Sequence, residues 1–258
     1  MTGIGGNVSL GPPRAQERIF IAVPTSEHIH KYALPGLCAP SRSPNRAWVV
    51  RPYGHSMLNK TFNDLLCMAL NERKTHGWRY FVMHHADQES EIGWLDKLMD
   101  EYHRSGADVL SVVIAIKDRR GVVSTGLRGA DGRITPFTVR EVLDSLPSDT
   151  FGIEDVPHAD GDHLVVNSGL MVFDLTASWV ERWALDEAFC SVDKVFKDPV
   201  TGKFSASCLT EDWSFSAYCH LHGIRCKATK VVKVTHHGSA GFTNFERWGD
   251  RDRDEGRR

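Results

Sequence analysis

Four short polar clusters in this chain hold side chains able to bind a metal ion or move a proton. They are Pro24-Thr25, His84-His85-Ala86-Asp87, Glu211-Asp212 and His236-His237-Gly238. In the second cluster an apolar run, Tyr80 to Met83, stops at two imidazoles and a carboxylate. A strand puts residues i and i+2 on the same side, so His85 and Asp87 are expected to face one pocket if the extended backbone persists. Imidazole and carboxylate together form a mixed nitrogen and oxygen donor set. That set suits Mn²⁺ better than Mg²⁺, which prefers oxygen ligands. Each cluster also has a plainer explanation. A histidine after a strand is often only a hydrogen-bonded loop residue, and Asp87 could cap the helix that follows. Glu211 and Asp212 could simply complement a helix N-terminus, worth ~0.3–1 kcal/mol. His236-His237 could be an ordinary turn. The chemical reading rests on shared placement: every cluster ends a strand or opens a helix of one expected sheet. Ligands of open parallel sheets bind beyond the carboxyl ends of the strands.

The elements that must position these clusters are legible from hydrophobic period. "RIFIAVPT" reads as a strand ended by Pro24, and "RAWVVRPYG" as a second ended by Pro52 and Gly54. In "NKTFNDLLCMALNERKTHG", residues Phe62, Leu65, Leu66, Ala69 and Leu70 share one helical face, and Gly77 supplies a C-cap. "RYFVMHH" is a third strand, "EIGWLDKLMDEYHRSG" a helix closed by Gly106, and "ADVLSVVIAI" a strand apolar on both faces. From Lys117 to His163, Gly, Asp and Pro are frequent, which predicts excursions over the surface. "HLVVNSGLMVFDL" resumes strand character. "TEDWSFSAYCHLHG" is a helix with Thr210 as N-cap, and "IRCKATKVVKVTHHG" is a closing strand. Strand and helix in alternation predict an α/β fold: one mostly parallel central sheet flanked by helices, with right-handed crossovers.

The chain has 258 residues, room for one large α/β domain. A formal net charge of −2 supplies no global basic field for nucleic acid. No apolar stretch approaches the ~20 residues that span a bilayer, and the first residues lack the pattern of a secretory signal. The six cysteines show no C-x-x-C spacing, which fits reduced thiols in a cytoplasmic protein rather than a zinc-thiolate site. Residues 1–17, rich in Gly and Pro, are expected to form a flexible arm, and the charged residues 246–258 a disordered tail.

Taken in order, the segments between Arg18 and Gly238 resemble a GT-A glycosyltransferase of the family-2-like, nucleotide-sugar-dependent kind. "IFIAVPT" is similar to the strand that meets the nucleoside. "NKTFNDLLCMAL" resembles a helix often opened by Arg-Asn, here Phe62-Asn63. "YFVMHHADQESEIGWLDKL" resembles the strand, Asp-x-Asp and helix that hold metal and diphosphate, with His85-Ala86-Asp87 in place of the triplet. "VNSGLMVFDL" resembles the glycine-containing strand on the acceptor side. "LTEDWSFSAYCHLHG" resembles the Glu-Asp helix, and the closing strand carries a histidine that can complete the metal shell. The resemblance implies a catalytic domain over 18–245, with a nucleotide-sugar-binding half (18–116) and an acceptor-binding half (117–245). It implies donor contacts from Pro24, Thr25, Asn63, His85 and Asp87, and acceptor contacts from Asn167, Gly169 and Trp213. Metal ligands would come from Asp87, His85 and either His236 or His237. Asp212 would be the general base, with Glu211 orienting the acceptor. The implied reaction is single transfer of a sugar from a nucleotide-sugar donor to a hydroxyl acceptor of unknown class, nucleic acid included. Inversion is preferred, with retention as the alternative. Trp94 and Trp213 could each offer a flat face for a sugar or base, or pack in the core. "NFERW" (Asn244 to Trp248) differs by one residue from the Gln-x-x-Arg-Trp signature of processive polysaccharide synthases, whose membrane helices this sequence lacks. Two rivals share the sheet: a nucleotidyltransferase, and a degenerate GT-A domain that binds a nucleotide or partner without turnover. The spacing of "HHAD" and "HHG" does not match a metal-dependent hydrolase.

Overall fold

Strands form where β-branched and aromatic residues cluster, and the most apolar of them end up in the centre of the sheet. The computed structural model describes residues 16–25, 28–146, 148–157, 159, 163–186 and 188–249. Its main sheet has seven strands in the order β2 (Arg46–Gly54), β1 (Glu17–Thr25), β3 (Tyr80–His84), β10 (Leu170–Asp174), β5 (Val109–Val112), β13 (Cys226–Thr229) and β8 (Thr150–Phe151), numbered in chain order. Strands β2, β1, β3, β5 and β13 run in one direction. Strands β10 and β8 run against them. The fold is thus α/β with a mostly parallel sheet. Because β10 sits between β3 and β5, the first and second halves of the chain share one sheet.

Alternate residues of each central strand feed two cores. Phe20, Phe81 and Phe173 meet α2 (Leu58–His76), α5 (Ser178–Asp186) and α6 (Glu211–Leu221) through Phe62, Trp183 and Phe215. Ile21, Val82 and Val172 meet α3 (Trp94–Ser105) through Trp94 and Leu98. Each fully buried side chain of this size contributes ~1.5–3 kcal/mol. α2 and α3 stop where expected, at Gly77 (φ 68°) and Gly106 (φ 65°), left-handed positions that a Cβ disfavours. A short helix, α1 (Leu34–Cys38), follows β1. Trp94 is fully buried and donates to the Gly36 carbonyl (3.0 Å), so it is a core residue rather than a sugar platform.

Three smaller sheets complete the molecule. The segment expected to wander, Lys117 to His163, folds: β6 (Val122–Arg128), β7 (Ile134–Thr138) and β9 (His163–Val165) form an antiparallel sheet, followed in chain order after β7 by α4 (Val139–Asp144). A Thr138–Glu141 capping box opens α4. The expected continuous strand from His163 to Leu175 is broken at Val166–Gly169, where Asn167 donates to the Val112 carbonyl (2.6 Å) and accepts from Gly169 N (3.0 Å). β11 (Val192–Lys197) and β12 (Phe204–Leu209) pair only with each other, in an exposed hairpin. β4 (Gln88–Ser90), β14 (Val234–His237) and β15 (Gly241–Thr243) form the third sheet. Among the described residues no helix is long and apolar enough to cross a membrane.

Residues 1–15 and 250–258, most of the expected arm and tail, lie outside the described residues. Glu17 already belongs to β1. Trp248 packs on Phe242 (5.4 Å between rings) and Arg247 pairs with Asp144, so folded structure extends past both expected boundaries of the domain. In the synthase-like segment, Asn244 is buried and bonds Val113, Val232 and Val234, a structural role.

Candidate active site

The parallel strands β1, β3, β5 and β13 all deliver their carboxyl ends to one edge, and β10 starts there. Immediately after β3 the backbone does not stay extended. Ala86 and Asp87 form a turn, closed by Gln88 N donating to the His85 carbonyl (3.2 Å), and β4 follows before α3 begins. The expected extended geometry at His85-Ala86-Asp87 is therefore corrected. The cause is β4, which pairs antiparallel with β14 and pulls the chain aside. The same pairing carries His236 to Asp87: its Nε2 lies 3.4 Å from Asp87 Oδ1.

The two terminal histidines of β14 part ways because adjacent strand residues face opposite sides. His236 faces Asp87 and its Nδ1 lies 2.8 Å from the Ala115 carbonyl, which can only accept. Nδ1 therefore carries hydrogen, and Nε2 presents either a proton or a lone pair to Asp87. His237 instead bonds Glu89 (2.8 Å) and stacks on His30 (4.5 Å between rings), with Tyr32 beside it (4.9 Å). The backbone N–H of His237 donates to the Asp87 carbonyl (2.8 Å), fixing the register. Of the two candidate metal ligands in this strand, His236 is the one the fold brings to Asp87.

The paired imidazoles at the end of β3 divide in the same way. His84 is fully buried between Ser90 Oγ (2.9 Å) and the His85 carbonyl (3.0 Å), and is structural. His85 lies beside Phe62 (5.1 Å between rings), and its Nε2 is buried without a hydrogen-bond partner. Burial pushes its pKa down to about 4, so the ring is neutral. Asp87 Oδ1 is likewise buried without a hydrogen bond. Burial pushes the Asp87 carboxyl upward, but His236 and Lys117 outweigh it and hold the group well below the usual carboxylate range. Lys117 makes a short ion pair with Asp87 Oδ2. Nothing local to the sequence marks Lys117, which lies just beyond β5.

Among the described residues no group of three or more His, Cys, Asp or Glu side chains is spaced to enclose a metal ion. Asp87 and His236 are a two-residue pair, the kind that holds an ion shared with substrate phosphates rather than a closed protein cage. Their 3.4 Å separation matches two ligands each ~2.1 Å from one ion. Asp87 Oδ1, buried without a hydrogen bond, supplies a donor for it. The residues fit a shared divalent ion.

Asp212, in the first turn of α6, is built differently. Thr210 occupies the N-cap position, but its hydroxyl donates to Asp212 Oδ1 instead of accepting from the helix. Trp213 N donates to the same oxygen (2.9 Å). Burial raises the Asp212 pKa to about 6, with the neighbouring Glu211 charge adding to it. Glu211 Oε2 lies 3.5 Å from Ser191 Oγ, which also accepts from Asn59 of α2 (3.0 Å). One turn on, Ser216 accepts from Val166 N (3.0 Å), tying α6 to the break that contains Asn167 and Gly169. Gly169 in turn accepts from His85 N (2.8 Å). A continuous chain of contacts thus joins Asp212 to the Asp87 side.

The other expected contacts are distributed as follows. Pro24 and Thr25 end β1 at the same edge, with Thr25 partly exposed. Asn63 spends its amide N–H on the Phe189 carbonyl (3.0 Å), leaving Oδ1 buried and unpartnered. Asn167 and Gly169 are buried and hold backbone rather than face solvent. Trp213 is half-buried.

No family model matches the chain, and no curated protein is significantly similar to it. Among solved structures it is similar to A197 from STIV over 93% of its own length and 100% of that chain, at 12% identity and a TM-score of 0.48. It is also similar to a protein from Entamoeba histolytica provisionally named a UDP-N-acetylglucosamine pyrophosphorylase, over 84% of its own length and 74% of that chain. Identity there is 10% and the TM-score 0.40. Likenesses this remote do not bear on chemistry.

Proposed function

We propose that the protein is a divalent-metal-dependent glycosyltransferase using a nucleotide-sugar donor and a hydroxyl acceptor. The observation that carries this reading is the meeting of Asp87 and His236, from distant parts of the chain, at the sheet edge where α6 also begins. Asp87 and His236 would hold a divalent ion there, Mn²⁺ in preference to Mg²⁺, which would supply positive charge to a diphosphate leaving group. His85, neutral and buried, lies near enough to Asp87 to feel its charge but is not spaced to complete a three-ligand set. Asp212 is the general base. With its pKa near 6 it is ionised at neutral pH yet basic enough to accept the acceptor's hydroxyl proton through Oδ2, since Oδ1 takes both hydrogen bonds. Glu211 orients the acceptor side, and Trp213 flanks it.

The test is incubation with UDP-, GDP-, CDP- and dTDP-sugars, with and without Mn²⁺. The expected outcome is Mn²⁺-dependent thermal stabilisation by one nucleotide class and slow release of free sugar from it. Stabilisation without turnover would indicate a binding domain. Pyrophosphate release from a nucleoside triphosphate and a sugar phosphate would indicate nucleotidyl transfer. The anomeric configuration of the product distinguishes inversion from retention.

A further inference from the structure

Among the described residues Lys117 is the lysine or arginine in contact with Asp87, and neither its surroundings nor its chemistry is accounted for by the roles above. Its stem lies flat over Gly238: a Cβ at position 238 would stand 3.0 Å from Lys117 Cδ and 3.5 Å from its Cβ and Cγ. The fourth cluster's glycine therefore leaves room for this lysine. The ammonium has three N–H donors, and among the described residues its hydrogen bond is to Asp87. Its side chain is 36% exposed, so the head can move without unpacking a core. Lysine presents a compact charge on a flexible stem and binds phosphate as a point charge.

Resting on the glycosyltransferase reading, we infer that Lys117 is an exchangeable counter-cation. It neutralises Asp87 before donor arrives, and it swings to the donor's diphosphate when Asp87 turns to the divalent ion. An ammonium and a dication on one carboxylate repel each other, so Lys117 and the ion compete for Asp87. Charge balance favours the exchange. Asp87 contributes one negative charge and a sugar diphosphate about two, which the ion and Lys117 together neutralise. A site of this kind binds the ion weakly alone and tightly with diphosphate, which couples metal entry to donor entry.

The test uses the 258-residue chain with two probes, Mn²⁺ alone and the preformed Mn²⁺–pyrophosphate complex, read by electron paramagnetic resonance and titration calorimetry. Lys117→Met keeps the stem over Gly238 and removes the charge. It is expected to bind Mn²⁺ about tenfold tighter than the parent and Mn²⁺–pyrophosphate about tenfold weaker, the scale of a partly exposed ion pair. Lys117→Arg, which keeps the charge, is expected to resemble the parent in both. Circular dichroism melting confirms that each variant is folded. Unchanged or weaker Mn²⁺ binding by Lys117→Met, unchanged pyrophosphate binding, or equal behaviour of the Met and Arg variants overturns the exchange while leaving the glycosyltransferase reading standing. Failure of the parent protein to bind Mn²⁺–pyrophosphate overturns both.

Discussion

Two aspartates at one sheet edge have been driven in opposite directions. Asp87 follows β3, pairs with Lys117 and faces His236, and stays ionised at any ordinary pH. Asp212 opens α6 bonded to a hydroxyl and a backbone N–H, with no ion pair to it among the described residues, and burial brings its titration up to about 6. A carboxylate meant to hold a cation has to resist protonation. One meant to take a proton has to tolerate it. The difference in titration follows from neighbours alone, since the two side chains are chemically identical, and it is what the proposed division of labour requires.

The largest expected effect comes from breaking the Asp212 half. Asp212→Asn should lower turnover by ~10²–10⁴ while leaving Mn²⁺–nucleotide binding in place, measured by parallel kinetics and calorimetry. In the parent, turnover should rise with pH through about 6 and then level, because only the ionised carboxylate accepts a proton. The same group makes a stability prediction. Its folded pKa lies above the ordinary carboxylate value, so between about pH 4 and 6 the folded state holds a proton that the unfolded state releases. Its favourable contribution is complete below that window and lost as pH rises through it. Burying the ionised group then costs the parent up to about 3 kcal/mol at pH 8. Asp212→Asn should therefore gain thermal stability over the parent at pH 8 and little at pH 4. A gain equal at both pH values would remove the distinction between the two carboxylates.

Breaking the Asp87 half should be somewhat milder in rate and opposite in kind. Asp87→Asn is expected to abolish the Mn²⁺ dependence of nucleotide binding and to lower turnover by ~10²–10³. Retained metal dependence would show that the anchor lies elsewhere. Next in size, His236→Ala should weaken Mn²⁺–pyrophosphate binding ~10–100-fold, while His237→Ala, which loses contacts with Glu89, His30 and Tyr32 rather than with Asp87, should cost less than about tenfold. The reverse order would mean that the two faces of β14 had been exchanged. The smallest effect is on the connection between the halves. A Cβ at Gly169 would stand 2.3 Å from Gln88 Nε2 and 3.0 Å from Ile114 Cδ1, so Gly169→Ala should destabilise by ~1–3 kcal/mol in denaturant unfolding.

Much of the scaffold is legible in the sequence. The strand–helix alternation, the α2 and α3 stops at Gly77 and Gly106, and the apolar β3 are local signals of period and backbone preference. The sheet of β6, β7 and β9 was not read, although Thr138-x-x-Glu141 is a capping-box pattern, because frequent Gly, Asp and Pro masked short strands. The β11–β12 hairpin was missed because all but one of its strand residues are exposed, so no burial pattern marks it. At the site, His85, Asp87, His236 and Asp212 stood out by residue type at element ends. The structural duties of His84, Asn63 and Trp94 did not, since type and position fit either role.

The sequence by itself determined the strands and helices that carry a clear hydrophobic period, and the polar residues that end them, because period and chain-breaking residues act over a few positions. Tertiary structure decided that β10 enters the sheet against its neighbours, that His236 rather than His237 meets Asp87, that Thr210 serves Asp212 instead of the helix, and that Lys117 reaches the same carboxylate. Those outcomes depend on pairing register and burial between segments far apart in the chain. A shift of one residue reverses which side chain faces the pocket, and no short window of sequence contains that register.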